Sequence, residues 1–130
     1  MSGIFATENF RFSNLVKHEY EPSLAFCREV LTVNDVAADL VIGQVLGKVT
    51  VGGKYKVSKE DAVDGSELPV AVIIEDKTIA GTTDTGVLAI VRGPAIVSKS
   101  GLVLDATWDG IESQVYDALA AQTILSNDAV

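Results

Sequence analysis

Cysteine and histidine are almost missing from this 130-residue chain, which holds one of each, Cys27 and His18. A single cysteine cannot close an internal disulfide, and the pair falls short of any structural zinc ligand set. No metal and no cofactor are therefore expected. Basic residues are also scarce, ten Lys and Arg against eighteen Asp and Glu, for a net charge of −8. That balance repels phosphate backbones, and no basic stripe interleaved with aromatics offsets it, so nucleic acid is excluded as a partner. No apolar run approaches the roughly 18 residues of a membrane-spanning helix. The amino end, MSGIFATENFRF, lacks a basic stretch followed by an unbroken apolar one, so no secretory signal is read and synthesis in the cytoplasm is expected.

Chemical motifs are as thin as the composition. A Ser-His-Asp or Cys-His mechanism would need His18 as its base, in a segment with little to hold it rigidly. No GxGxxG or GxxxxGK[ST] loop occurs. Asp61, Asp64 and Glu67 sit close together, but their spacing is wrong for a calcium loop and reads as an acidic surface turn. No catalytic residues emerge, and the chain is not expected to be an enzyme.

What the chain has is apolar β-forming sequence punctuated by turns: 48% of residues are hydrophobic and only 22% charged. That is a globular composition, and the length suits one domain. Residues 40–57, LVIGQVLGKVTVGGKYKV, set four glycines among alternating apolar residues and read as two strands joined by tight turns. Gly52-Gly53 supplies the left-handed backbone of a primed hairpin turn. Before this stretch, FCREVLTV at 26–33 reads as a half-buried strand closed by Asn34-Asp35. After it, LPVAVII at 68–74 is a continuous apolar run of strand length, as expected of a core strand buried on both faces. VLAIV at 87–91 repeats that pattern. Gly93-Pro94 marks a turn or sheet edge, 95–97 and 102–104 read as short strands, and Lys99-Ser100-Gly101 as a turn.

The two ends differ from this middle. Four of the eight aromatics, Phe5, Phe10, Phe12 and Tyr20, fall within residues 1–25, where glycine and long β-branched runs are nearly absent. This segment reads either as an extended arm that pairs with something else or as a strand folded onto its own domain. From Trp108 to Leu125 the apolar period changes to three and four, which predicts an amphipathic helix over about 109–122 with Asp109 as N-cap. Residues 126–130 are expected to fray. The fold class is thus mainly β, a compact barrel-like or sandwich domain at 26–130 with a short carboxyl-terminal helix and an amino-terminal arm.

Taken in order, Gly43-Gln44-Val45-Leu46-Gly47-Lys48-Val49-Thr50, Gly53-Lys54-Tyr55, the 62–65 turn, the apolar strand and Arg92-Gly93-Pro94-Ala95 form one pattern. It resembles the head decoration proteins of tailed bacteriophages, the group that includes the lambda head-stabilising protein. The resemblance covers about half of the chain, plus its helical carboxyl end. It implies a structural protein of the virion, a homotrimer on the outer capsid surface that cements the major capsid (coat) protein of the expanded head. It also implies a coat-binding arm at residues 1–25, with Ile4, Phe5, Phe10, Phe12, Leu15 and Val16 as its apolar contacts, and makes Trp108 a candidate for the trimer interface.

Energetics bear on such an arm. Ordering twenty-odd residues costs about 1–2 kcal/mol each, while burying those six side chains returns roughly 1.5–3 kcal/mol apiece. Strand addition to a coat-protein sheet edge would supply the remainder, and three arms per trimer would add avidity. Deleting residues 1–20 is then expected to leave a folded trimer that no longer binds capsids. An alternative from another class is a small all-β carrier or ligand-binding domain. Asp76-Lys77-Thr78 lies between two strand-like runs, as the modified lysine of lipoyl or biotinyl domains lies at a hairpin tip.

Overall fold

The computed structural model describes residues 15–20, 26–34, 39–78 and 84–127. Ten strands appear among them, β1 Val16–Glu19, β2 Arg28–Val33, β3 Asp39–Leu40, β4 Val45–Lys48, β5 Tyr55–Val57, β6 Pro69–Ile73, β7 Lys77–Thr78, β8 Thr85–Ile90, β9 Ala95–Ser98 and β10 Ile124–Asn127. Among the described residues an α-helix, α1, spans Glu112–Ala120. Five strands close a barrel in the order β2-β5-β4-β6-β8; β1, β9 and β10 form a separate sheet with β9 in the middle, and β3 pairs with β7. The chain is mainly β with a barrel and one short carboxyl-terminal helix, as the sequence pattern predicts.

Strand β6 shows why the apolar run at 68–74 is continuous. Successive side chains on a strand point to opposite faces, and here both faces are interior. Ala71 and Ile73 enter the barrel core with Leu31, Val33, Leu46 and Val87. Val72 and Ile74 point the other way, into a second core between the barrel wall and the three-stranded sheet. Strand β8 does the same, with Val87 and Ala89 inside the barrel and Ile90 in the second core. The second core is closed by Val97 from β9, Ile124 from β10, and Trp108, Val115 and Leu119 from the helical region.

The β4–β5 hairpin follows its sequence signal. Gly52 and Gly53 have φ of +95° and +72°, and the Val49 N–H donates to the Lys54 carbonyl oxygen at 2.8 Å. Gly47 has a different cause, for it lies inside β4. A Cβ there would stand 1.9 Å from the Ser66 carbonyl oxygen, so the glycine lets the 59–68 loop cross directly over the strand.

The carboxyl end departs from the expected single helix at 109–122. Trp108 belongs to a 3-10 turn, Ala106–Trp108, capped by Asp105, whose carboxylate accepts from the Thr107 N–H. Asp109 is not the N-cap of α1; Gly110 follows it with a φ of +87°, and that left-handed residue delays the helix to Glu112. After Ala120 the chain turns, with Thr123 at a φ of +62°, and enters β10, which runs parallel to β9 with Ile124 opposite Ala95 and Asn127 opposite Ser98. Residues expected to fray thus begin as a strand. At 102–104 the expected strand reduces to one bridge, Val103 to Gln44.

Candidate functional site

Of the segment expected to be an arm, the structure describes residues 15–20, which include β1. Strand β1 pairs antiparallel with β9, Val16 opposite Val97 and Glu19 opposite Ala95, with an irregularity between Val16 and His18. Leu15 is fully buried and Val16 nearly so, both in the second core. These two side chains, expected to reach the coat protein, instead hold the segment to its own domain. Burial on this scale contributes roughly 1.5–3 kcal/mol per side chain, so the two are not available to a partner without undoing the sheet.

The far end of β1 is clamped by charge. Glu19 has a side chain only 4% exposed. It receives Arg28 in a two-pronged pair, Nε to Oε2 at 2.9 Å and Nη2 to Oε1 at 2.5 Å. The hydrogen bond to Glu19 raises the Arg28 guanidinium above its ordinary pKa. Next to it the Tyr20 N–H donates to the Pro94 carbonyl oxygen at 2.8 Å. The buried Cys27 thiol donates to the Tyr20 and Pro94 carbonyl oxygens at 3.6 Å each. The rings of Tyr20 and Phe26 meet edge to face at 5.6 Å. Arg92 lies over the Phe26 ring at 5.6 Å and donates to the Phe26 carbonyl oxygen.

Strand directions bring Val16 and Ser126 to the same end of the sheet. Because β10 runs parallel to β9 and β1 antiparallel to it, residue 16 and residue 126 both lie level with Val97. Val16 and Ser126 stand two strand spacings apart there, or about 10 Å. Across the sheet's middle, His18, Ile96 and Leu125 lie side by side in register, with Leu125 48% exposed. Strands β1 and β10 are the two edges of this sheet among the described residues.

Other expected site residues fall elsewhere. Ile4, Phe5, Phe10 and Phe12 lie outside the described residues. Trp108 is 4% exposed in a single chain, and its indole N–H donates to the Ser58 carbonyl oxygen at 3.0 Å; its ring fills the second core rather than lying open to another copy. Lys77 belongs to β7 and pairs through its backbone with Leu40, so it does not sit at a hairpin tip as a carrier lysine would. Among the described residues no group of three or more His, Cys, Asp or Glu side chains is arranged to hold a metal ion, and no helix is long and apolar enough to cross a membrane. The Glu19–Arg28 clamp was invisible in the sequence, because nothing marks two residues nine positions apart as partners.

The family model of the bacteriophage lambda head decoration protein D matches residues 5–124. The chain belongs to this family. The match takes in β1 through the first residue of β10, including the segment before Leu15 from residue 5 onward. No curated protein matches the chain. Members of the head decoration family are structural proteins of the capsid, so membership supports a role on the phage head and binding to the capsid. It gives the virion capsid as the place of action.

Proposed function

We propose that this protein is a capsid cement: a homotrimer on the outer surface of the expanded phage head, joined to the major coat protein through residues 1–14. Family membership supports the decoration role, and one structural observation carries the mechanism. The segment before Leu15 continues into a strand fixed by β9 on one side, by the second core beneath and by Glu19–Arg28 at its far end. A pull on that segment is borne by the fold and not by a loop, which is what a cementing arm requires.

Boundaries follow from burial. Leu15 and Val16 belong to the anchor, leaving Ile4, Phe5, Phe10 and Phe12 as apolar groups for the coat protein. An extended segment of 14 residues reaches up to about 45–50 Å. Strand addition to a coat sheet edge supplies backbone hydrogen bonds, and three arms on one trimer multiply the effect. The net charge of −8 per chain suits an outer surface better than one facing packaged DNA.

The test is addition of the full chain, and of a chain lacking residues 1–14, to expanded phage heads stripped of decoration protein, followed by sedimentation. Binding of the full chain with loss of binding by the shortened one is expected. Equal occupancy by both overturns the arm mechanism, and no binding by either overturns the cement role.

A further inference from the structure

The contacts that hold β1 have a direction. Strand β1 runs antiparallel to β9, with Val16 level with Val97 and Glu19 level with Ala95. Ladder hydrogen bonds lie perpendicular to antiparallel strands. A pull on the chain before Leu15, directed along β1, therefore strains the pairs at Val16, His18 and Glu19 together, and no pair opens alone.

The far end of β1 is fastened twice. Glu19 is joined to Arg28, at the start of β2, by the two-pronged ion pair, with the Glu19 side chain only 4% exposed. One residue on, the Tyr20 N–H donates to the Pro94 carbonyl oxygen at 2.8 Å. The Cys27 thiol lies 3.6 Å from the carbonyl oxygens of both Tyr20 and Pro94, and the Val91 N–H donates to the Cys27 carbonyl oxygen at 2.8 Å. Phe26 completes the group, its ring edge to face with Tyr20 at 5.6 Å and its carbonyl oxygen accepting from Arg92. Tyr20 and Cys27, seven positions apart in the chain, are thus held at one point against residues 91–94. Tension arriving through β1 passes there into the ends of β8 and β9, and need not travel through residues 21–25.

A pull across the sheet meets no such arrangement. Val16 and Ser126 are level with each other on either side of Val97, so drawing the two chain ends apart works sideways at one end of the sheet and opens its pairs in turn. We propose that β1, the Glu19–Arg28 pair and the Tyr20–Cys27–Pro94 contacts form a directional lock, one that resists force along β1 and yields to force across the sheet. Force along β1 is what an arm tied to the coat delivers, so the use of the lock rests on the arm reading above. The lock itself lies wholly within one chain.

Single-molecule force spectroscopy on the full chain separates the two directions. One handle is joined to the amino terminus, and the other either to the carboxyl terminus or to the new thiol of Glu29→Cys. Position 29 lies beside Arg28 at the Glu19 end of β1, with a side chain 53% exposed, whereas Cys27 is 0% exposed and out of a handle's reach. Loss of the exposed Glu29–Arg92 pair costs little, and Val30→Cys, at a position 67% exposed, serves if the first variant does not fold. The amino-terminal and position-29 handles are expected to part at about twice the force needed with the two terminal handles, or more, because the ladder pairs break together and not in turn. They are expected to part in one step that frees residues 15–28, up to about 45–50 Å of chain. Arg28→Lys, which loses the forked geometry, is expected to lower the force along β1 and to leave the onset across the sheet unchanged, since a sideways pull reaches Glu19 last. Equal forces in the two directions, or an equal loss in both on Arg28→Lys, overturns the lock. If the directions differ as expected while the chain lacking residues 1–14 binds heads as well as the full chain, the lock stands and the arm reading falls.

Discussion

Two deletions that differ by six residues are expected to behave as different proteins. Removing residues 1–14 leaves β1 and its packing intact, whereas removing residues 1–20 takes away Leu15, Val16 and Glu19 together with the pairing to β9. Leu15 is 0% exposed and Val16 9%, and losing their burial costs about 1.5–3 kcal/mol each. The opened second core adds a cavity term, and each lost backbone hydrogen bond adds about 1 kcal/mol. A total of about 5 kcal/mol or more is a large share of the 5–15 kcal/mol typical of a folded domain. Urea unfolding at matched protein concentration, followed by the fluorescence of the single tryptophan, Trp108, measures the difference. The shorter deletion is expected to unfold near the full chain's midpoint and the longer one to be partly or wholly unfolded in buffer. Stabilities of the two deletions within about 1 kcal/mol of each other would refute the placement of β1 as an anchor. This replaces the expectation, drawn from sequence, that a chain lacking residues 1–20 stays folded.

Three further outcomes follow from particular contacts. Arg28→Ala strands the Glu19 carboxylate at 4% exposure and is expected to destabilise by about 3–5 kcal/mol in chemical unfolding, with partial recovery on adding Glu19→Gln. Ser58 is 1% exposed and its hydroxyl has no hydrogen-bond partner among the described residues, so Ser58→Ala is expected to leave stability unchanged or raise it by roughly 1 kcal/mol, read as an upward shift in the thermal midpoint. Hydrogen bonds from the Ser66 hydroxyl and N–H, with Lys56 adding to them, hold the Asp64 carboxyl down at about 2. A depressed folded value means stability that is present above the unfolded value near 4 and lost as pH falls through about 2. Carbon-detected magnetic resonance titration of Asp64 is expected to show a midpoint near 2, and Asp64→Asn is expected to flatten that part of the acid-unfolding profile.

Much of the barrel was legible because its residues obey local rules. The run at 68–74 is apolar throughout since both faces of β6 are interior, and Gly52-Gly53 marks its hairpin because only glycine takes two left-handed positions without strain. Other features depended on partners distant in sequence. Strand β1, VKHE, is too short to show a period, and its partner β9 begins at Ala95. Strand β10, ILSN, continues the helical spacing of apolar residues, and its break comes at Thr123, a residue type that gives no warning of a positive φ. Gly47 read as punctuation, yet it serves the passage of the Ser66 backbone over β4.

The site was legible in the same partial way. Aromatic enrichment singled out residues 1–25, but the division at Leu15 between segment and anchor depends on the second core, which no local pattern reveals. Trp108, made a candidate for the trimer interface by the resemblance, lies inside the protomer with its indole N–H donating to the Ser58 carbonyl oxygen. A large ring with one polar atom satisfies a core position and an interface position equally well in sequence.

The proposed cement is tied to the outside of the phage head through residues 1–14, from the end of the three-stranded sheet that carries Val16 and Ser126. Electron microscopy maps of expanded heads with and without the protein test it most directly. Added density is expected at threefold positions on the outer surface, with a strand running from β1 of each copy onto the coat protein. Added density in which the end bearing Val16 and Ser126 points away from the coat would contradict it.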